Sequence, residues 1–235
     1  MPQANPVYCA LDTTDVDRAR ALARTLKGSV GGLKIGKEFF TAHGPDGVRR
    51  VLPGGVPLFL DLKFHDIPNT VAGAVRAACA LNPTMLNVHA AGGTAMMEAA
   101  RDAAQESATP PWVLAVTVLT SLDAQDLTSI GVTGSPEDQV VRLATLAQRA
   151  GLTGVVCAAA EISALRAACG PDFKLVVPGI RPEGSATGDQ KRTMTPAEAL
   201  ARGADVLVIG RPITTATDPA AAAQAIARGL GASVA

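Results

Sequence analysis

The chain has 235 residues, of which 48% are hydrophobic, 18% charged and 3% aromatic. A length close to the ~250 residues of one α/β barrel predicts a single domain over residues 1–235. Lysine plus arginine and aspartate plus glutamate both total 21, so the formal net charge is zero. No global field therefore attracts the chain to nucleic acid or to an acidic membrane, and the scarcity of aromatic residues argues against base-stacking surfaces.

The cysteines and the N-terminal residues bear on the compartment. The four cysteines are far apart and form no CxxC pair, and three lie in apolar or alanine-rich runs. This predicts small buried hydrophobic side chains in a reducing compartment. The first residues lack the basic start and apolar stretch of a secretory signal, and no run of 18 apolar residues occurs. We therefore expect a soluble cytoplasmic protein with no membrane partner.

Short apolar runs rich in β-forming residues recur along the whole chain. They cover residues 7–11, 32–35, 57–62, 85–89, 113–118, 154–157, 174–177 and 206–209. Their nearly continuous apolarity, without strict alternation, is typical of strands buried on both faces of a parallel sheet.

Helical patterns lie between these runs. Apolar residues within 16–26 and within 140–147 recur at the spacing of one helix face. Residues 135–138 and 195–198 each combine a hydroxyl N-cap, a proline at the first helical position and a following acid, and Gly203 predicts the end of the second helix. Eight strands alternating with helices predict an α/β fold, a closed (β/α)8 TIM barrel, with a doubly wound open sheet as the alternative.

Polar side chains cluster where the predicted strands end, and catalytic groups of such barrels project from these ends. They include Asp12, Lys34, Asp61, Lys63, Asp66, His89, Thr117 and Thr120. Asp61 and Lys63 are two residues apart, so their side chains point to the same side of a strand, and Lys34 on the neighbouring strand can alternate with them. Because charges in barrel strands are costly unless paired, the row predicts a catalytic network or a buried ion-pair network that only closes the barrel.

A phosphate site is predicted in the loops after strands seven and eight, its customary place in these barrels. The loops contain Arg181, Gln190, Gly210 and Arg211, with further glycines. Glycines let backbone N–H groups approach an anion, and arginines bind phosphate oxygens in bidentate fashion. The glycine-punctuated stretch 181–190 is interpreted as a lid, with an ordinary surface loop as the alternative.

Metal and cofactor sites are not predicted. His65 and His89 lie near Asp61 in the pattern, but neither HxH nor HExxH spacing occurs. The GxGxxG and P-loop patterns are absent from the sequence as well, so we expect no nucleotide cofactor.

The segment 61–70, Asp-Leu-Lys-Phe-His-Asp-Ile-Pro-Asn-Thr, closely resembles the signature of the orotidine 5'-monophosphate decarboxylase family, in its bacterial type. The likeness extends over nearly the whole chain, through residues 10–12, 33–38, 87–90, 115–121, 176–181, 188–190 and 208–212. It implies a cofactor-free barrel enzyme that converts orotidine 5'-monophosphate to UMP and CO2, the last step of de novo pyrimidine nucleotide synthesis. It also implies a homodimer whose active site is shared across the interface.

The resemblance implies roles for individual residues. The charged network is Lys34, Asp61, Lys63 and Asp66, with Lys63 as the proton donor. The implied substrate-binding residues are Asp12 and Lys34 for the ribose, Thr120 and Ser121 over the pyrimidine, Pro178 beside it, and Arg181, Gln190, Gly210 and Arg211 toward the phosphate. Asp66, Ile67 and Thr70 match positions that reach into the site of the partner subunit.

Two other functions remain open. A metal-dependent sugar-phosphate decarboxylase or aldolase of the same barrel superfamily shares a D-x-K-x-x-D core but would need Mg²⁺ and an acid-rich ligand set. Residues 67–70, Ile-Pro-Asn-Thr, favour the nucleotide enzyme. A non-catalytic sensor of a phosphorylated ligand is the second alternative, and the complete set of Lys34, Asp61, Lys63 and Asp66 argues against it.

Overall fold

The computed structural model describes residues 5–182 and 194–232, and the parallel strands within them close into an eight-stranded barrel. The strands are β1 (Val7–Ala10), β2 (Gly32–Gly36), β3 (Leu58–Phe64), β4 (Met85–His89), β5 (Trp112–Val116), β6 (Gly154–Val156), β7 (Lys174–Pro178) and β8 (Val206–Ile209). Each strand pairs with the next in the chain, and β8 pairs with β1. The predicted closed barrel is confirmed, and the alternative of an open sheet is wrong.

Helices cover the outside of the barrel. Those of the described residues are α1 (Val16–Leu26), α2 (Lys37–Val51), α3 (Pro68–Cys79), α4 (Thr94–Gln105), α5 (Ala124–Ser129), α6 (Pro136–Arg149), α7 (Ile162–Cys169), α8 (Pro196–Ala201), α9 (Arg211–Thr214) and α10 (Pro219–Gly229). Helix α2 is interrupted at Gly44, whose φ of 58° is left-handed, just before Pro45. Two single turns of 3-10 helix, Ala90–Gly92 and Ala159–Glu161, follow β4 and β6.

The predicted helix starts are confirmed by their capping contacts. Ser135 Oγ accepts a hydrogen bond from the backbone N–H of Asp138 at 3.1 Å, and a carboxylate oxygen of Asp138 accepts one from the backbone N–H of Ser135 at 3.0 Å. Thr195 and Glu198 form the same reciprocal pair at the start of α8. Gly203 follows this helix with a φ of 108°, which glycine adopts without strain.

The barrel interior has an apolar floor beneath a polar layer. The residues of the floor are Ala10, Phe59, Met85, Leu114, Val176, Val206 and Val208. Because successive side chains of a strand point to opposite faces, the residues two positions beyond Phe59 and Met85 also point inward. These are Asp61 and Asn87, which are both buried. The polar layer therefore lies at the carboxyl ends of the strands, above the apolar floor.

The described parts of the chain contain no helix that is long and apolar enough to span a membrane. The prediction of buried cysteines is confirmed, since Cys9, Cys79, Cys157 and Cys169 are all buried free thiols. Burial raises the pKa of the Cys9 thiol to about 12, so this group is uncharged and unreactive near neutral pH.

Arg166 of α7 ties together the amino-terminal ends of β7 and β8. Its guanidinium donates to the backbone carbonyls of Gly203 and Phe173 and lies 2.5 Å from Asp205 Oδ2. The same carboxylate oxygen accepts the backbone N–H of Leu175 at 2.8 Å. One side chain thus satisfies several partly buried acceptors at the end of the barrel opposite the polar layer.

We expect Arg166→Met to lower the free energy of unfolding by about 3 kcal/mol, because several partly buried carbonyls lose their donor and the Asp205 carboxylate, which keeps Lys174 and the Leu175 N–H, loses its guanidinium partner. Urea denaturation at fixed protein concentration measures the change. Arg49→Met is the matched control, since Arg49 forms an exposed pair with Asp46 and such pairs contribute at most about 1 kcal/mol. Equal losses in the two variants would contradict this role of Arg166.

Candidate active site

A pocket opens at the carboxyl ends of the strands, with an empty volume of about 510 Å³. It is lined by Lys34, Phe59, Asp61, Lys63, Val116, Val118, Leu119, Thr120, Val156, Cys157, Pro178 and Val208. Charged side chains occupy one side, whereas most of the remaining lining is apolar. Its position, at the carboxyl ends of the strands, is that expected of a small-molecule site in a (β/α)8 barrel.

The charged side consists of a chain of alternating acids and lysines. Lys34 Nζ lies 3.1 Å from Asp12 Oδ1 and 3.3 Å from Asp61 Oδ2. Lys63 Nζ lies 2.5 Å from the other oxygen of Asp61. Asp61 is therefore held between two ammonium groups, and the predicted juxtaposition of Lys34, Asp61 and Lys63 is present in the structure.

Neighbouring strands supply these groups, with Lys34 two positions before the level of Asp61, an offset that the long lysine side chain bridges. In the parallel ladder Ala10 is paired with Lys34, and Gly36 with Asp61. Gly36 also leaves room for the lysine, because a Cβ atom at this position would lie only 3.2 Å from Lys34 Nζ. The barrel register thus brings side chains distant in sequence into one row.

Lys63 reaches the pocket from an irregular part of β3. Leu60 pairs with Leu86 but Phe64 pairs with Val88, so β3 has two more residues than β4 in this interval. Lys63 has a φ of 52°, in the left-handed region that costs free energy for a residue with a side chain. The expectation that Asp61 and Lys63 share one side of the strand is met, but through a bulge and not through regular alternation.

The ion pairs shift the pKa values of the buried groups. Burial acts to raise the pKa of Asp61, but attraction to Lys34 and Lys63 outweighs it, and the pKa is lowered. Burial likewise acts to lower the pKa of Lys34, but Asp61 and Asp12 raise it above its usual value. Both groups consequently remain charged at neutral pH.

His89 and His65 lie side by side next to the charged chain, with ring centroids 5.5 Å apart. Burial, together with repulsion from His65 and the lysines Lys37 and Lys63, lowers the pKa of His89 to about 4. His89 is therefore a neutral imidazole at neutral pH. Within the two described ranges no three His, Cys, Asp or Glu side chains are grouped so as to hold a metal ion.

Three of the predicted phosphate residues, Arg181, Gly210 and Arg211, lie in the segments that follow β7 and β8. Gly210 follows β8, and Arg211 begins α9, where it is exposed. Arg181 follows β7 and is buried, and its backbone N–H donates to the carbonyl of Met194 at 3.1 Å. Gln190 and most of the predicted lid lie outside the described residues.

The residues expected to reach a partner subunit lie away from their own pocket. Asp66 and Thr70 are exposed, and 67% of Ile67 is exposed. A carboxylate oxygen of Asp66 accepts the backbone N–H of Ile67 at 2.7 Å, directly before α3 begins. The structure therefore does not bring Asp66 into the chain of charges around Lys63.

Thr120 and Pro178 line the pocket as expected, whereas Ser121 is exposed beside Thr120. Sequence reasoning gave no site role to Asn87, which contacts both Asp61 and Lys63. A polar residue at an inward-facing position of an otherwise apolar strand was the available signal. The apolar lining, such as Val156 and Cys157, had no signal that distinguished it from ordinary core.

A family model described as "Orotidine 5'-phosphate decarboxylase / HUMPS family" matches residues 5–226. The chain belongs to this family. It is 58% identical over 232 residues to the orotidine 5'-phosphate decarboxylase of Paramagnetospirillum magneticum, covering 97% of this chain and 99% of that protein. It is 60% identical over 237 residues to that of Rhodospirillum rubrum, covering 97% and 96%.

A solved structure agrees with this family membership. The crystal structure of orotidine 5'-phosphate decarboxylase from Lactobacillus acidophilus superposes with a TM-score of 0.87 at 35% sequence identity. The match covers 97% of this chain and 100% of that one. The barrel predicted from the sequence is thus also the fold of this relative.

We expect the His89 imidazole to be half-protonated near pH 4 in an NMR titration, with His89→Gln identifying its signal. An unfolded imidazole has a pKa of about 6.5. As the pH falls from about 6.5 to about 4, the unfolded chain therefore binds a proton that the folded chain does not, and stability declines. His89→Gln should weaken this decline. A folded midpoint near 6.5 would show that the histidine pair is not held as described.

Proposed function

We propose that the chain catalyses decarboxylation of orotidine 5'-monophosphate to UMP and CO2, the last step of de novo pyrimidine nucleotide synthesis. The observation that carries the proposal is the Lys63 ammonium, held 2.5 Å from a buried carboxylate at the edge of a largely apolar pocket. Relatives that cover nearly the whole chain at 58% and 60% identity bear this activity in their names.

The reaction leaves negative charge on a carbon atom that needs direct stabilisation. When the bond from C6 to the carboxylate breaks, its electron pair stays in an sp² orbital that the ring carbonyls do not delocalise. Many decarboxylases use an organic cofactor or a metal as the electron sink. In our proposal the Lys63 ammonium lies opposite C6 and takes this role. It then donates a proton to C6, and the resulting amine recovers a proton from water.

This contact favours the transition state over the substrate because the charge on C6 grows as CO2 departs. Two unit charges ~4 Å apart attract by about 1 kcal/mol in water and by about 4 kcal/mol at an effective dielectric constant near 20. Apolar walls such as Phe59 and Val208 support the proposal because they exclude water from the site. A lid over residues 181–190 would exclude it further.

Asp61 and Lys34 have supporting roles in the proposal. Asp61 keeps Lys63 charged and in place, and its repulsion of the substrate carboxylate contributes at most a few kcal/mol, on the same Coulomb scale. Lys34 and Asp12 bind the ribose hydroxyls from the far end of the charged chain. Their mutual contact at 3.1 Å supports the assignment by fixing both side chains before substrate arrives.

The remaining contacts bind the base and the phosphate. Thr120, Ser121 and Pro178 lie beside the pyrimidine, while Arg181, Gln190, Gly210 and Arg211 bind the phosphate. The place of Arg211 at the start of α9, in the segment after β8, supports the phosphate assignment because this is the customary phosphate position in these barrels and a guanidinium binds phosphate oxygens. Binding energy from the distant phosphate orients the base and drives lid closure.

We also propose a homodimer in which Asp66, Ile67 and Thr70 of each copy reach the other copy's pocket. Exposure of a large apolar side chain at Ile67, beside an exposed carboxylate, supports an interface at this position. In that dimer the Lys63 ammonium of one copy contacts two acids. Asp61 comes from the same copy, and Asp66 comes from the other copy.

Cofactor independence and a cytoplasmic location complete the proposal. The two lysines of the charged chain support direct charge stabilisation, since a hard divalent cation prefers a set of oxygen ligands. The buried reduced cysteines support a reducing compartment.

In an absorbance assay with orotidine 5'-monophosphate, EDTA should leave the rate unchanged. Loss of the rate would favour the metal-dependent alternative.

Lys63→Ala should lower kcat by at least 10³-fold while UMP binding changes little, because both the stabilising charge and the proton source are lost. The same absorbance assay and calorimetric titration with UMP provide the measurements. Lys27→Ala, at an exposed lysine that follows α1, is the matched control and should retain wild-type kcat. A Lys63→Ala variant with near wild-type kcat would refute the assignment.

Arg211→Ala should weaken binding of UMP by about 30-fold, or about 2 kcal/mol, the usual contribution of a hydrogen bond to a charged group. Uridine, which lacks the phosphate, should bind the variant and the wild type alike. Calorimetry with both ligands measures the difference, and Arg202→Ala serves as an exposed control after α8. Equal losses for nucleotide and nucleoside would remove Arg211 from the phosphate site.

A further inference from the structure

The side chain of Asn87 in β4 is completely buried and lies between Asp61 and the backbone of Lys63. Its Nδ2 donates to Asp61 Oδ1 at 2.7 Å, and its Oδ1 accepts the backbone N–H of Lys63 at 2.7 Å. Only one orientation of the amide satisfies both contacts, because a carboxylate oxygen accepts and a backbone N–H donates. The two bonds therefore define how the amide is turned.

The hydrogen bond from the Lys63 backbone N–H to Asn87 lies where the β3–β4 ladder is interrupted. The ladder is regular at Leu60 and Leu86 and resumes at Phe64 and Val88, with two extra residues in β3. Within this interval the backbone N–H of Lys63 donates to a side chain of the neighbouring strand. The amide of Asn87 thus supports the left-handed backbone of Lys63, with its φ of 52°, which a regular strand does not provide.

The hydrogen bond from Asn87 to Asp61 uses the same carboxylate oxygen that accepts the Lys63 ammonium. Asp61 Oδ1 accepts both Lys63 Nζ at 2.5 Å and Asn87 Nδ2 at 2.7 Å, while Oδ2 lies 3.3 Å from Lys34 Nζ. The amide therefore fixes the rotation of the carboxylate and the backbone from which the lysine extends. A neutral amide does this without adding charge to the site.

We propose that Asn87 is a positioning residue of the active site, whose amide sets the Lys63 ammonium against the Asp61 carboxylate by clamping both ends of the Asp61–Lys63 segment. The inference rests on the proposed function, in which Lys63 meets the charge that develops on C6. A residue that only filled the barrel interior would affect stability and not the rate per folded molecule.

The decisive variant is Asn87→Asp, which preserves shape and makes the clamp depend on pH. A protonated carboxyl donates to Asp61 and accepts from the Lys63 N–H, whereas an ionised one loses the donor and repels Asp61. The like charge should raise the pKa of the introduced carboxyl above its usual value of about 3.9. We expect kcat relative to wild type to fall about tenfold per pH unit above that pKa. A relative kcat independent of pH would overturn the proposal.

Asn87→Ala tests the same clamp without a charge. We expect kcat per folded active site to fall by about 10²-fold, with KM changed by less than threefold, because misplaced catalytic groups affect the rate more than binding. Ser29→Ala is the control: Ser29 is also buried but lies before the amino-terminal end of β2, and its loss should leave kcat unchanged. An Asn87→Ala kcat within threefold of wild type would overturn the proposal. If Asn87→Ala does not fold, the near-isosteric Asn87→Asp decides.

A measurement without substrate separates this inference from the proposed function. The Lys63 amide proton should exchange with D2O at least tenfold faster in Asn87→Ala than in wild type, whereas Ser29→Ala should not alter it. If wild type exchanges slowly but does not decarboxylate orotidine 5'-monophosphate, the proposed function fails while the clamp stands. If wild type is active and Asn87→Ala exchanges no faster, the clamp fails alone.

Discussion

The buried carboxylate of Asp61 forms ion pairs with two ammonium groups, and the rest of the site is arranged around these two contacts. Lys34 binds one oxygen and Lys63 the other. Removing a carboxylate from water costs several kcal/mol, and only well-placed partners offset the cost. The barrel provides them because adjacent parallel strands bring side chains from distant parts of the chain within reach of each other, with Lys34 two positions before the level of Asp61. The resulting network remains charged inside an apolar enclosure.

The apolar floor and the charged layer depend on each other. Phe59 and Met85 close the barrel interior directly beneath Asp61 and Asn87. Water is thereby kept from the lower side of the pocket, which strengthens every electrostatic contact above it. The opposite end of the barrel is closed by a separate network around Arg166 and Asp205. Stability and the candidate chemistry are thus assigned to opposite ends, as is usual for this fold.

Much of this arrangement was predictable from the sequence. The eight apolar runs gave the strands because strands covered on both faces must be apolar throughout, and the capping patterns at Ser135 and Thr195 gave the helix starts because they are local. The row of Lys34, Asp61 and Lys63 was expected from strand ends and alternation, although a bulge and not alternation brings Lys63 to Asp61. The family signature in residues 61–70 indicated the chemistry.

Other features were not predictable, for physical reasons. The bulge that turns Lys63 inward depends on the pairing of β3 with β4, which is a tertiary property. Asn87 differs from an ordinary buried amide only through its two partners. Helix α2 is interrupted at Gly44, directly before Pro45. The local preferences of a glycine and a proline do not determine which path the backbone takes there. Apolar pocket residues such as Val156 have the same composition as the core.

The proposed reaction depends on the Lys63 ammonium, which stabilises negative charge on C6 of the pyrimidine. Protonation of that carbon is reversible in principle, so an enzyme that stabilises the carbanion should also remove the C6 proton of bound UMP. Exchange of this proton for deuterium, followed by NMR of UMP in D2O, tests the claim most directly. We expect exchange with the wild-type chain and none above background with Lys63→Ala. Equal exchange by the two proteins would contradict it.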